Sequence, residues 1–140
     1  MKKLILTFIV VFSLFGCSKN PESYIPYIDG YWEIKQVEKQ GNIVKSYNVS
    51  TTVDYFKVNE DLTGFRKKVA PSLQGTFTVT DNDSPFVLKI ENNQLHIYYT
   101  VNNVTFKETI ADASATQLII TNDEGFKYTY KPFEPITIDP

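Results

Sequence analysis

Apolar and polar residues alternate over short runs, and this pattern constrains the fold more than any other feature of the sequence. Residues 126–131 place three aromatic rings on one face and Lys, Thr and Lys on the other. Successive side chains of a β-strand point to opposite faces, so a period of two predicts a strand with one buried face. Residues 104–110 follow the same pattern, with Val104, Phe106 and Ile110 predicted to face inward.

The other predicted strands are equally short and are separated by tight turns. They are residues 31–37, 43–47, 53–58, 65–69, 77–79, 86–90 and 94–100. The turns between strands are rich in Asn, Asp and Gly, which tolerate the positive φ that hairpins require. Helical features are limited to a single turn that residues 112–115 are able to form.

Eight to ten strands without crossover helices predict an all-β fold, an antiparallel up-and-down meander. Closure into a small β-barrel removes the two exposed edges, and we therefore expect a closed barrel. An immunoglobulin-like sandwich is the alternative. The Cys-Trp-Cys arrangement of antibody domains is absent, however.

The first 17 residues resemble a bacterial lipoprotein signal. Lys2 and Lys3 precede an apolar stretch at residues 4–15, and the sequence Leu14-Phe15-Gly16-Cys17 is similar to a lipobox. The resemblance implies that residues 1–16 are removed and that Cys17 carries lipid in the cell envelope. Ser18 after the cysteine favours the outer membrane. The alternatives are an ordinary secretory signal and a membrane-spanning helix, but the stretch is shorter than the roughly 20 residues that spanning requires.

Composition and proline positions predict the domain organisation. Residues 17–26 contain two prolines and no periodicity, which indicates a lipidated tether. Residues 27–131 form the barrel domain. Residues 132–140 form a proline-containing tail, in which residues 136–138 are either an edge strand or a partner-binding segment.

The charge balance argues against nucleic acid as a partner. Removal of residues 1–16 from the 140 takes away two of the 14 basic residues, and 12 then stand against 16 acidic ones, a net charge of about −4. Phosphate backbones require clustered Lys and Arg. The densest basic run is Arg66-Lys67-Lys68, which we interpret as a solvated edge or loop and not as an anion site.

Three segments of the predicted barrel resemble lipocalins. Gly30-Tyr31-Trp32 is similar to the Gly-x-Trp signature in which the tryptophan plugs the closed end of the barrel. Residues 56–64 resemble a family hairpin, and residues 118–120 with 125–128 resemble the closing hairpin of lipocalin-like domains in bacterial lipoproteins. The resemblance implies structural roles for Gly30 and Trp32, and a small hydrophobic ligand inside the barrel.

Catalytic and metal-binding patterns are scarce in the sequence. His96 is the only histidine, and alternation with Leu95 and Ile97 predicts that it is solvated on the face opposite the core. The Gly-x-Ser-x-Gly elbow of hydrolases is absent, and the carboxylates lack the spacing of metal ligands. We therefore expect no enzyme activity, no metal and no cofactor.

Glu108 is an acidic residue on the otherwise inward face of residues 104–110. It is either a functional polar group inside the barrel or a strand-end residue facing water. The candidate ligand-binding residues are Tyr99, Glu108, Tyr128 and Tyr130, although the tyrosines also suit a core or girdle.

These observations predict a membrane-anchored, lipocalin-like binding lipoprotein without catalytic activity. Its ligand would be a small hydrophobic molecule or an envelope protein. The alternative is a structural or assembly lipoprotein, an accessory subunit of an envelope complex. A ligand binder requires a cavity on the order of 300 Å³ or more. A structural module instead has a filled barrel and an exposed apolar patch.

Overall fold

The computed structural model describes residues 19–48, 50–72, 76–79 and 83–134, and this part of the chain is nearly all β. A 3₁₀ helix at Pro21–Tyr27 comes first. The strands are β1 (Gly30–Lys39), β2 (Asn42–Ser46), β3 (Val53–Val58), β4 (Thr63–Pro71), β5 (Phe77–Val79), β6 (Ser84–Glu91), β7 (Gln94–Val101), β8 (Val104–Ala113), β9 (Leu118–Thr121) and β10 (Phe126–Pro132). The predicted signal, Cys17 and the predicted strand at residues 136–138 lie outside the described residues.

Eight of the strands close into an antiparallel barrel. Their order is β10-β9-β8-β7-β6-β4-β3-β1, and β1 pairs with β10 to complete the circle. The prediction of a closed antiparallel barrel is confirmed. β2 pairs with β1, and β5 pairs with β4, both outside the circle. The predicted strand at residues 77–79 therefore exists, but its Phe77 and Val79 are exposed on the outer wall.

Asparagine pairs make two of the tight turns. Asn92 and Asn93 have φ of 51° and 60°, and Asn102 and Asn103 have φ of 51° and 63°. Two successive residues with positive φ match the twist of the flanking strands. The turn at residues 92–93 sets the predicted register, in which Phe86 faces Tyr99 and Leu88 faces Ile97.

Buried apolar side chains fill the end of the barrel that carries the turns at residues 92–93 and 114–117. This core consists of Ile28, Trp32, Phe56, Phe86, Leu88, Leu95, Ile97, Tyr99, Ile110, Ala113, Leu118, Ile120 and Tyr130. Trp32 is 4% exposed, as predicted, and its indole Nε1 donates a 2.9 Å hydrogen bond to the carbonyl of Ile28. We call this filled end the closed end.

The 3₁₀ helix shows that the described part of the predicted tether, residues 19–26, is mostly folded. Asn20 caps the helix by accepting a hydrogen bond from the backbone N–H of Glu22 at 3.1 Å. Tyr24 and Ile25 pack against the core, and the helix contacts β7 and β8. Burial of these two apolar side chains supplies the stability that a lone short helix lacks. No helix within the described ranges is long and apolar enough to cross a membrane.

Two details of β8 differ from the expectations. Phe106 faces inward as predicted and stacks on Tyr99, but it is 47% exposed, and Val104 is 63% exposed, because both lie at the end of the barrel opposite the closed end. Asp112 and Ala113 belong to the strand, which continues past an irregularity between Ile110 and Asp112 and does not form a helical turn.

Candidate functional site

A buried arginine lies inside the barrel. Phe56 on β3 faces Arg66 on β4, and residues directly opposite each other share a face of the sheet. Phe56 is fully buried in the core, so Arg66 also points inward, and its side chain is only 19% exposed. The prediction that residues 66–68 are a solvated edge or loop is therefore wrong for Arg66.

Four side chains from four different strands surround the guanidinium. Its Nη2 donates to Asp54 Oδ2 at 2.8 Å and to the Tyr130 hydroxyl at 2.8 Å. Its Nη1 donates to Glu108 Oε1 at 3.1 Å and to the Tyr99 hydroxyl at 3.1 Å. The guanidinium carbon also lies 4.9 Å from the centroid of the Phe56 ring, a cation–π distance. We call Asp54, Arg66, Tyr99, Glu108 and Tyr130 the arginine cluster.

Burial and charge fix the protonation states of the cluster. Burial favours a lower pKa for Arg66, but attraction to Tyr130, Tyr99, Asp54 and Glu108 outweighs it, and the pKa is raised above its ordinary value. Burial raises the pKa of Tyr99 and Tyr130 well above the usual range, although the charge of Arg66 opposes the shift. At neutral pH the cluster therefore contains a charged guanidinium and two protonated phenols.

A cavity of about 740 Å³ opens above the cluster. Its apolar and aromatic lining consists of Trp32, Ile34, Val37, Tyr47, Phe106, Tyr128 and Tyr130. Its polar lining consists of Thr52, Asp54, Arg66, Lys68, Thr105, Lys107, Glu108, Asn122, Asp123 and Glu124. The turn that contains Asp123 and Glu124 places the mouth opposite the closed end. We call this cavity the cup, and four members of the arginine cluster, Asp54, Arg66, Glu108 and Tyr130, form its floor.

The strand pairing explains why the cup is open at its sides. β1 pairs with β3 only over Gly30–Trp32, and beyond this stretch it pairs with the peripheral strand β2. β4 likewise pairs with β6 only over Thr63–Arg66, before its last residues pair with β5. A second cavity of about 400 Å³ lies beside β4 and shares Asp54, Arg66, Lys68 and Phe106 with the cup.

Three of the four candidate binding residues belong to the arginine cluster. Tyr99, Glu108 and Tyr130 contact Arg66 directly, and Tyr128 lines the cup. Glu108 faces the interior with a 13% exposed side chain, so it is not a strand-end residue facing water, and a functional role for it stays a prediction.

Sequence reasoning missed Asp54 and Arg66. A signal was nonetheless present. Asp54 alternates with Phe56 and Val58, so the period of two places this carboxylate on the inward face of β3, as it does Glu108 on β8. Two inward acids predict an inward base, and Arg66 is that base.

His96 corrects another expectation. It lies between the core residues Leu95 and Ile97, on the outer face of β7, but it is only 6% exposed. Its Nδ1 lies 2.8 Å from Thr109 Oγ1 in a hydrogen bond, and its ring packs edge-on against Tyr98. The prediction that His96 is solvated is therefore wrong.

The fold and the site define a closed eight-stranded antiparallel β-barrel with a polar cluster at mid-height and a cup at one end. The chain matches no protein-family model, no curated protein and no solved structure. In the part of the chain that the structure describes, no group of three or more His, Cys, Asp or Glu side chains is placed to hold a metal ion.

Proposed function

We propose that this chain is a non-catalytic binding lipoprotein of the cell envelope, with a lipocalin-like barrel that holds a small, partly apolar ligand in the cup. The observation that carries the proposal is the 740 Å³ cavity. Sites for small molecules typically enclose about 300–1,000 Å³ and combine aromatic walls with a few polar groups. The cup has this size, and its lining combines seven apolar or aromatic residues with ten polar ones.

The chemistry of the cup floor also favours binding over catalysis. The terminal nitrogens of Arg66 are each engaged with a carboxylate and a phenol. The raised pKa values keep the hydroxyls of Tyr99 and Tyr130 protonated, so neither is an activated nucleophile or base. Among the described residues, no buried side-chain nitrogen or oxygen lacks a hydrogen-bond partner.

A dye titration tests ligand binding. The full chain with Cys17→Ser keeps every described residue, and Trp32 is its only tryptophan. We expect the uncharged dye N-phenyl-1-naphthylamine to bind saturably and to receive excitation energy from Trp32. Phe106→Ala and Tyr128→Ala should weaken binding several-fold, whereas Val79→Ala on the outer wall should not. Absence of saturable binding, or equal losses in all three variants, would overturn the proposal.

The anchor is a separate part of the proposal. Lys19 contacts the barrel through a 3.2 Å ion pair with Asp112, and Cys17 is only two residues earlier in the sequence, a reach of about 7 Å. A lipid on Cys17 would therefore hold the barrel close to the membrane surface. Cys17→Ser should move the protein from the membrane fraction to the soluble fraction. A variant that stays with membranes after a high-salt wash would contradict lipid anchoring.

The second candidate function is assembly with an envelope protein, and an aromatic surface on the outer wall favours it. Tyr31 lies 4.6 Å from both Tyr55 and Phe77 between ring centroids, and Phe133 contacts Phe77. Tyr31 and Phe77 remain exposed, as expected of a docking surface. If the chain assembles through this surface, Phe77→Ser should shift it from a large envelope complex to a monomer in size-exclusion chromatography, whereas Phe106→Ala should not. A monomeric wild-type chain would exclude this function.

A further inference from the structure

We infer that the cup selects a ligand with a positively charged group attached to its apolar part. This inference rests on the proposed binding function and adds the charge of the ligand. Three observations carry it: the engagement of Arg66, the charge balance of the lining, and the aromatic walls.

The terminal nitrogens of Arg66 are already engaged by protein side chains. Both terminal nitrogens already donate to protein carboxylates at 2.8 and 3.1 Å and to phenols at 2.8 and 3.1 Å. A ligand carboxylate or phosphate would have to displace Asp54 or Glu108, and would leave that acid without its partner inside the barrel. Displacing a buried partner costs more than a surface contact returns. The floor therefore disfavours anions despite its arginine.

The charged groups that line the cup leave an excess of negative charge. The acids are Asp54, Glu108, Asp123 and Glu124, and the bases are Arg66, Lys68 and Lys107. Lys107 lies 3.8 Å from Asp123, whereas the exposed Glu124 forms no ion pair with any residue the structure describes. A cavity lined by an excess of one sign of charge raises the local concentration of ligands of the opposite sign.

The aromatic walls suit the same ligand. Phe106 stacks on Tyr99 through one face, with 4.9 Å between ring centroids, and stays 47% exposed where it lines the cup. Tyr128 and Glu124 both line the cup. Aromatic faces attract ammonium groups, most strongly where water is partly excluded. An alkyl or aryl ammonium compound would thus place its charge between Glu124 and these rings, with its apolar part on Ile34 and Val37.

Competition between matched probes tests this inference. Octyltrimethylammonium, octanoate and 1-octanol share one chain and differ in charge, and each is used below its micelle concentration against bound N-phenyl-1-naphthylamine at pH 7.5. The ammonium probe should displace the dye at a concentration at least about tenfold lower than octanoate. If octanoate or octanol competes equally well, the charge preference is wrong and the binding function stands. If the dye itself does not bind, the proposed function fails first.

Two substitutions that each remove one negative charge show which part of the protein attracts the ammonium probe. Glu124→Gln at the mouth should weaken the ammonium probe by about twofold to fivefold, the range of a single exposed charge contact, and should leave octanol unchanged. Glu60→Gln removes the same charge from the exposed turn between β3 and β4, at the closed end, and should change neither probe. Equal effects of both substitutions would mean that total protein charge, and not the cup, attracts the cation.

Discussion

Arg66 Nη2 and Asp54 Oδ2 form a 2.8 Å ion pair between adjacent strands inside the barrel, with side chains 19% and 8% exposed. Glu108 approaches the same guanidinium from β8, on another part of the barrel wall. A buried pair of this kind contributes little net stability relative to an apolar core, but loss of one partner leaves an uncompensated charge. Through the arginine cluster, side chains of β3, β7, β8 and β10 therefore contact one cation on β4.

Removal of Arg66 should be costly. Arg66→Met leaves Glu108 without its cation and Asp54 with only the exposed Lys68, 4.0 Å away, and we expect the free energy of unfolding to fall by about 3–5 kcal/mol. Urea denaturation followed by circular dichroism measures this change. The triple variant Asp54→Asn, Arg66→Met, Glu108→Gln removes all three charges and should recover at least half of the loss. A single variant within about 1 kcal/mol of the wild type would show that the ion pairs do not matter.

The two cluster phenols should make the protein sensitive to alkali. Their pKa is raised in the folded state, chiefly by burial, whereas in the unfolded chain it is about 10. The folded state therefore retains protons that the unfolded state loses above pH 10. The free energy of unfolding is therefore unaffected by titration of these two phenols below pH 10. Above pH 10 it falls by up to about 1.4 kcal/mol per pH unit for each tyrosine.

Urea unfolding between pH 8 and 11 measures this dependence, with Tyr130→Phe as the test variant. Above pH 10, the free energy of unfolding should fall less steeply with pH in Tyr130→Phe than in the wild type. Tyr27→Phe is the control, because Tyr27 is exposed and its removal should leave the slope unchanged. Identical slopes in all three proteins would contradict the assigned protonation of the cluster.

The strands were predictable from the sequence because their signals are local. Alternation and the turn residues lie within about ten residues of each other, as at β6 and β7, where Asn92 and Asn93 set the register. The environment of Arg66 was not predictable in this way. Its partners Asp54, Tyr99, Glu108 and Tyr130 lie 12, 33, 42 and 64 residues away, and only closure of the barrel brings them together. Alternation along β8 predicted that Glu108 points inward, but it gave no information about its partner Arg66.

The same distinction applies to His96. Alternation placed it on the outer face beside Tyr98, but its hydrogen-bond partner Thr109 lies 13 residues away on β8, and alternation within β7 does not reveal this contact. His96→Ala removes a hydrogen bond and a buried ring, and we expect a loss of about 1–2 kcal/mol in the free energy of unfolding. Thermal or urea melts measure it, with Gln94→Ala at an exposed position of β7 as the control. A loss below about 0.5 kcal/mol would indicate that His96 is solvated after all.

Trp32 links the core to the cup, since it belongs to the buried cluster and also lines the cavity. Trp32→Ala should cost about 3–5 kcal/mol, the range for truncation of a buried large aromatic. Trp32→Phe keeps most of the ring but loses the hydrogen bond to the Ile28 carbonyl, and should cost less. Urea unfolding of both variants by circular dichroism gives the comparison. An unchanged midpoint for Trp32→Ala would place the indole outside the core.

Of the glycines that the structure describes, Gly64 on β4 has the least room for a side chain. A Cβ built there would lie 2.0 Å from the carbonyl oxygen of Lys57 and 2.7 Å from the ring of Phe86. The first contact is with backbone on the neighbouring strand, which cannot rotate away, so Gly64→Ala must push β3 and β4 apart. We expect a loss of about 3 kcal/mol or more, at or above the upper end of ordinary overpacking. Gly41→Ala is the matched control, since its Cβ meets open space and only its φ of 84° opposes alanine, at a cost of about 1–2 kcal/mol. Urea unfolding of the two variants measures the difference, and equal losses would mean that β3 and β4 have room to separate.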